Sequence, residues 1–288
     1  MSTGDLEDST LGRADRWQQA HRTPAITVAT VKKFQAEHSG NVAALLAFWA
    51  FFSIFPLMLV AATLLGWLLP SNVSNDLLHT INGYIPLIDF SRKTISGSWW
   101  ALVLGLVSAL WAATHVTRTA RVAFDSVWRV PEAEHAGVVE QTLGGLKALA
   151  LIGVALVFSV LTTGFVSGTS HQLDIDALAI FGGYAIAVVI DVVVFVIAFR
   201  VLTSRNVSTR DVLPGALVAG VGFWVLQLLS SVIISRYLHN AQKTYGNFAT
   251  VITLLWWFYL TGILTLLGAQ LNVVMRERIW PRSLRASG

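Results

Sequence analysis

The chain has 288 residues, of which 55% are hydrophobic and only 12% charged, whereas soluble domains carry about 25% charged residues. That balance excludes a disordered chain, which needs low hydrophobicity and high net charge, and argues against a water-soluble enzyme. There are no cysteines, so disulfides, thiolate metal sites and cysteine nucleophiles are excluded outright. The net charge is +4 and the mean hydropathy +0.64. Together they indicate a polytopic membrane protein whose excess Lys and Arg sets topology rather than binding nucleic acid.

Residues 1–41 are polar and mixed in charge, without the short apolar core of a cleavable signal peptide, and are expected to form a cytoplasmic N-terminal segment. Within it, residues 24–41 predict a short helix lying on the membrane, with Ile26, Val31 and Phe34 as apolar contacts. Segments 42–69, 99–116, 146–166, 177–199, 212–235 and 248–275 then each approach the roughly 20 apolar residues that a membrane helix needs. The first is expected to act as an uncleaved signal anchor, kinked at Pro56. Between the first two lies the longest external loop, residues 71–98. After the second, residues 118–142 suggest a helix with Arg121 and Asp125 at i,i+4, interrupted by Pro131. Residues 276–288 form a basic tail.

The segments are continuously apolar, whereas barrel strands alternate. The expected fold is therefore all-α: a polytopic membrane helical bundle with six transmembrane helices in residues 42–275. Of the 20 Lys and Arg residues, 16 fall in the N-terminal segment, the loops after segments two and four, and the tail. Only Arg92, Lys93, Arg236 and Lys243 fall on the other side. That asymmetry predicts that both termini are cytoplasmic.

Asp191 is the sharpest single signal. It stands nine residues before Arg200 in segment four, about 13 Å inside that end at 1.5 Å per residue. A central Asp costs roughly 2.5–3.5 kcal/mol to insert, so it should face the bundle or a wet cavity. The functional reading is a proton-binding or substrate-binding carboxylate; the competing one is a structural carboxyl bonded to a neighbouring helix. Gln227, Thr261, Thr265 and Ser108 are candidate partners at similar depth, each of which can instead join helices. His115, Arg118 and Arg121 lie near one stripe at the inner end of segment two and are candidate contacts for lipid headgroups, or ordinary positive-inside anchors.

Other features are less specific. Gly164 with Gly168, Gly215 with Ala219, and Ala216 with Gly220 are small-xxx-small steps that permit close helix contact. Trp256 and Trp257 sit too deep for interface anchoring alone, which points to packing. A metal site drawn from Asp76, His79, His171, Asp174, Asp176 and His239 has no diagnostic spacing, so no metal is expected. P-loop, zinc-protease and nucleophile-elbow patterns are absent, and the basic residues are divided among loops, so neither an enzyme nor a nucleic-acid partner is indicated. No cofactor is expected.

Four stretches carry a family signature: AALLAFWAFFSIFPLML around Phe55 and Pro56, ALWAATHVTRTARVAFDSVWRVPE after segment two, DVLPGALVAG from Asp211, and YGNFATVITLLWWFYLTGILTLLGAQLN from Tyr245 to Asn272. Together they resemble the YihY/BrkB family of bacterial inner-membrane proteins, over about residues 42–275. The family positions are Pro56, Pro214, Gly215, Tyr245, Gly246, Trp256, Gly268, Gln270 and Asn272. One departure is clear: relatives commonly carry Glu where this chain has Gln270. The resemblance implies an inner-membrane location and roles in envelope integrity and in the movement of lipids or amphiphiles; the family's old ribonuclease BN label is a misassignment. The leading expectation is transport or export of a lipid or other amphiphile, proton-linked through Asp191. The alternative is a non-catalytic envelope scaffold that binds lipids or partner proteins. Membrane lipids are the expected partners, with a homo-oligomer or envelope proteins as further candidates.

Overall fold

In the computed structural model the described residues are 13, 15–68, 99–131, 177–233, 246 and 248–282. Their regular secondary structure is helical throughout: α1 (Arg22–Ala36), α2 (Ser39–Leu68), α3 (Trp99–Trp128), α4 (Ala177–Val201), α5 (Thr209–Ile233) and α6 (Phe248–Glu277). Four stretches, Ser39–Val60, Gly182–Val201, Thr209–Ser230 and Phe248–Glu277, are long and apolar enough to cross a bilayer. They fall in the first, fourth, fifth and sixth predicted segments. The second segment lies in α3, which continues without interruption to Trp128 and so includes His115, Arg118, Arg121 and Asp125. The third segment, with Gly164 and Gly168, lies outside the described residues, as does the loop 71–98.

The central helix is α6. It packs against α2 and α5, with α3 and α1 also touching it, while α4 packs on α5 and α3 on α2. Small residues set the spacing. A Cβ built on Gly215 would collide with the carbonyl oxygen of Gly268, and one on Gly268 would stand 2.6 Å from the carbonyl oxygen of Gly215. A Cβ on Gly220 would lie 2.8 Å from the Val192 nitrogen. The step Ala216–Gly220 read from the sequence therefore marks a real close approach of α5 to α4. Pro214 lies inside α5, which begins at Thr209. Helix entry is set by Ser208 and Asp211: the Ser208 N–H donates to the Asp211 carboxylate at 3.0 Å and the Asp211 N–H to the Ser208 hydroxyl at 3.4 Å, a capping box.

Two helix ends are closed alike. Val130 N–H donates to the Asp125 carbonyl at 2.9 Å and Arg129 N–H to the Ser126 carbonyl at 3.1 Å, with Arg129 left-handed at φ 50°. This is a Schellman motif. At the end of α6, Ile279 N–H bonds the Val274 carbonyl at 3.2 Å with Arg278 at φ 51°. The residues after the turns, Val130 and Ile279, pack on the core.

The largest fully buried side chains include Trp128, Lys33, Phe124, Phe199, Leu266, Val212 and Val273. They lie where α3, α4 and α6 end and α5 begins, here termed the terminal end. Both described ends of the chain meet there: Gln18 Nε2 donates to the Arg282 carbonyl at 2.7 Å, and the Arg22 guanidinium lies 5.7 Å from the Trp280 ring centroid. Asp125 joins α3 to the α4–α5 loop by accepting from the Ser204 N–H and hydroxyl, each at 2.8 Å. Arg205 pairs with Glu277, and Arg276 with Asp211, both at 3.5 Å. The described basic groups that the charge count assigned to one side thus gather at one end of the bundle.

Helix α1 is present as expected and docks on the bundle through a buried stripe of Ala25, Ala29, Thr30 and Lys33. Val31, read as a membrane contact, is 43% exposed, and Phe34 packs beside the core. The close approach of α1 to the bundle selects small side chains.

Candidate functional site

Asp191 is fully buried, 0% exposed, on the face of α4 turned to α5. Gln227 donates its Nε2 to the Asp191 Oδ2 at 3.0 Å. The close approach at Gly220 and Val192 brings the two helices together beside this pair. The Gln227 Oε1 is buried without a hydrogen-bond partner. The arrangement is a carboxylate and an amide held in an apolar layer, one of the few ways a carboxyl can be kept there.

One to two turns along α4 from Asp191 lies a cavity of about 140 Å³. Its walls are mostly apolar: Val116 and Ala120 from α3, Val194, Phe195 and Ala198 from α4, and Phe223 from α5. Thr117, Thr261 and Thr265 supply its hydroxyls. Thr261 and Thr265 donate back to the Trp257 and Thr261 carbonyls at 3.0 and 2.7 Å, a bond internal to the helix. Thr117 Oγ1 is buried with no partner.

The motif positions on α5 and α6 converge. Gly215 N–H donates to the Asn272 Oδ1 at 2.7 Å, in a fully buried contact next to the Gly215–Gly268 approach. Asn272 thus joins two helices through a side-chain bond to backbone. Gln270 is also fully buried and donates its Nε2 to the Glu37 Oε2 at 2.6 Å and to the Ser39 Oγ at 3.0 Å. The Glu37 carboxylate pairs with Lys33, whose ammonium also donates to the Val127 carbonyl at 3.0 Å. Burial pushes the Lys33 ammonium below its ordinary value of 10.5, against the pull of the Glu37 carboxylate. Gln270 thus has a carboxylate at hand, supplied by Glu37 from the α1–α2 junction.

The remaining sequence candidates separate. Ser108 is exposed on α3. His115 lies among aromatic rings. It stacks on Trp49 at 4.2 Å and meets Trp111 edge-on at 4.6 Å. Arg118 is exposed, and Arg121 is half-buried. Trp257 packs edge-on to Phe223 at 6.3 Å, whereas Trp256 is 54% exposed and faces outward. Gly246 adopts φ 55°, a left-handed turn just before α6 that favours glycine. Pro56 lies within α2. Tyr245 and all the external residues considered for a metal lie outside the described residues. Sequence reasoning missed Lys33, Glu37 and Ser39. The i,i+4 spacing of Lys33 and Glu37 was the available signal.

Apolar helices of membrane-crossing length, packed through small residues around a buried carboxylate–amide pair, define a polytopic α-helical membrane protein. Within that class the chain belongs to the BrkB family: residues 30–286 match the family model described as Virulence factor BrkB. The chain is 27% identical over 263 residues to YfkH of Bacillus subtilis (strain 168), which is named as ribonuclease-like, with 84% of this chain and 92% of the relative covered. UPF0761 membrane proteins of Xanthomonas euvesicatoria pv. vesicatoria (strain 85-10) and Xanthomonas axonopodis pv. citri (strain 306) are each 25% identical, over 96% of this chain and 68% of the relative. No solved structure matches the chain.

Proposed function

We propose that this protein moves a lipid or other amphiphile across the bacterial inner membrane, and that the movement is linked to protons through Asp191. The observation that carries this reading is the Asp191–Gln227 pair, fully buried between two packed helices next to a cavity. An intramembrane carboxylate is a functional site by default, and proton relays are among its commonest uses. The terminal end, rich in Arg, is read as the cytoplasmic face. The ribonuclease-like name of one relative stays with that relative; the sequence of this chain carries no hydrolytic motif.

One observation favours a second reading. The lining of the cavity of about 140 Å³ is almost wholly apolar and holds no charged side chain that would receive a lipid headgroup. Such a lining also suits an envelope scaffold that binds lipids or partner proteins and moves nothing.

Reconstitution separates the two. Liposomes containing the protein, a fluorescent phospholipid and an imposed pH gradient should show lipid movement above protein-free liposomes, with Asp191→Asn slowing it at least about tenfold, the scale of one lost transition-state contact of about 1.4 kcal/mol. Equal rates for wild type and Asp191→Asn at every pH would overturn the proton linkage. Wild-type rates no higher than protein-free liposomes would favour the scaffold. The orientation is tested separately: cysteines replacing Ser170 and Ser287 should label from opposite faces.

A further inference from the structure

The charged network around Glu37 is separate from Asp191; Lys33, Glu37 and Arg129 lie outside the membrane-crossing stretches, whereas Ser39 begins one and Gln270 lies near the end of another. We propose that Glu37 is a second proton-binding site, that its charged form fastens α1 across the end of α6, and that protonation of Glu37 releases α1.

The geometry suits the charged carboxylate. Gln270 presents its NH2 group, not its carbonyl, to the Glu37 Oε2, and Lys33 donates to the Glu37 Oε1. The Gln270 Oε1 is buried with no partner. A protonated Glu37 would need an acceptor. Gln270 would have to turn its oxygen towards it, ending the donation of its Nε2 to Ser39, and Lys33 would lose its paired carboxylate, with only the charge of Glu277 still acting on it. Lys33 is 1% exposed, and an ammonium buried without its partner is strongly disfavoured. It regains water only by leaving the bundle, and because it sits on α1, α1 leaves with it.

Besides this network, α1 docks through Ala25, Ala29 and Thr30, whose short side chains remove little apolar area from water, and through Phe34, partly buried beside the core. The Arg22 contact to Trp280 at 5.7 Å and the bond from Gln18 to Arg282 hold its N-terminal side. The Glu37 side chain keeps 16% of its surface exposed, so a proton can reach it from solution.

The groups facing Glu37 come from every element packed there. Lys33 comes from α1, Arg129, 3.8 Å away, follows α3, Ser39 comes from α2, and Gln270 from α6. The charge of Glu277 acts on Lys33 from the end of α6. The next residue, His38, is exposed at the turn.

Because the chain has no cysteines, spin labels can be placed at Val31→Cys and Ser126→Cys, both exposed positions. Pulsed EPR in lipid nanodiscs should give one narrow distance near pH 8 and a broad, longer distribution near pH 4. Glu37→Gln should be broad at both. Gln270→Glu sets a second carboxylate beside Glu37 and should move the midpoint up by about one pH unit or more. His38→Gln and Asp191→Asn should leave the wild-type transition in place. A wild-type or Glu37→Gln distribution that stays narrow at both pH values would overturn the proposal, as would an unmoved midpoint in Gln270→Glu. If Glu37→Gln does not fold, Gln270→Glu decides. This readout is independent of transport, so it stands or falls apart from the reading of Asp191.

Discussion

The terminal end and the middle of the bundle are held together by different means. At the terminal end, side chains cross between elements: Asn272 to Gly215, Gln270 to Glu37 and Ser39, Asp125 to Ser204, Lys33 to Val127. Among the described residues of the middle, Gln227 donates to Asp191 between α4 and α5, and Thr261 and Thr265 turn their hydroxyls back on their own helix beside a cavity. A region with many directional cross-links loses more hydrogen bonding on rearrangement than a region with fewer. Apart from the α1 links through Lys33 and Glu37, the terminal end therefore acts as the fixed base, and the middle is the layer that rearranges more readily.

That comparison is easiest to break at Gly215. Gly215→Leu drives a side chain into the Gly268 carbonyl and should cost about 4 kcal/mol or more, the exceptional end of single substitutions. The expected outcome is loss of monodisperse protein in detergent; a protein that elutes and melts like wild type would remove the base from the argument. Next comes Asn272→Leu, which leaves the Gly215 N–H without its acceptor and should cost roughly 1–3 kcal/mol, read as a lower melting temperature. Asp191→Asn is the contrast. An Asn amide can accept from the Gln227 Nε2 and donate to its unpartnered Oε1, so its melting temperature should not fall below wild type even though transport changes. A melting loss as large as that of Asn272→Leu would contradict the division.

Lys33 gives a smaller, pH-dependent effect. Its native-state value is lowered below 10.5 by burial, so the folded protein binds fewer protons than the unfolded chain in the window just below 10.5. Stability attributable to Lys33 should therefore rise as pH climbs through that window. Lys33→Met should flatten the rise in melting temperature; an identical slope would refute it. The smallest effect is expected at Gly182 in α4, where an added Cβ meets nothing within 4 Å. Gly182→Ala should stabilise by up to about 1 kcal/mol through helix propensity alone.

Much of this was legible in the sequence. Apolar runs located the helices, and depth along two of them paired Asp191 with Gln227. Depth does not give the angle around a helix, so Ser108, placed at a suitable depth, faces outward. Nor does depth say where a hydroxyl spends its proton, as Thr261 and Thr265 show. The bond from Gln270 to Glu37 spans 233 residues, and no local pattern encodes it. His115 was read with Arg118 and Arg121 by spacing along α3, but its ring neighbour Trp49 comes from α2.

The bond from Gln18 to the Arg282 carbonyl makes the described chain nearly circular. Two halves of a split fluorescent reporter, fused one to each end, should reassemble within a single molecule and in one compartment. A linker joining residues 18 and 282 would need to bridge only a short gap, so a permuted chain opened at a different turn should still have its ends joined where the fixed base lies.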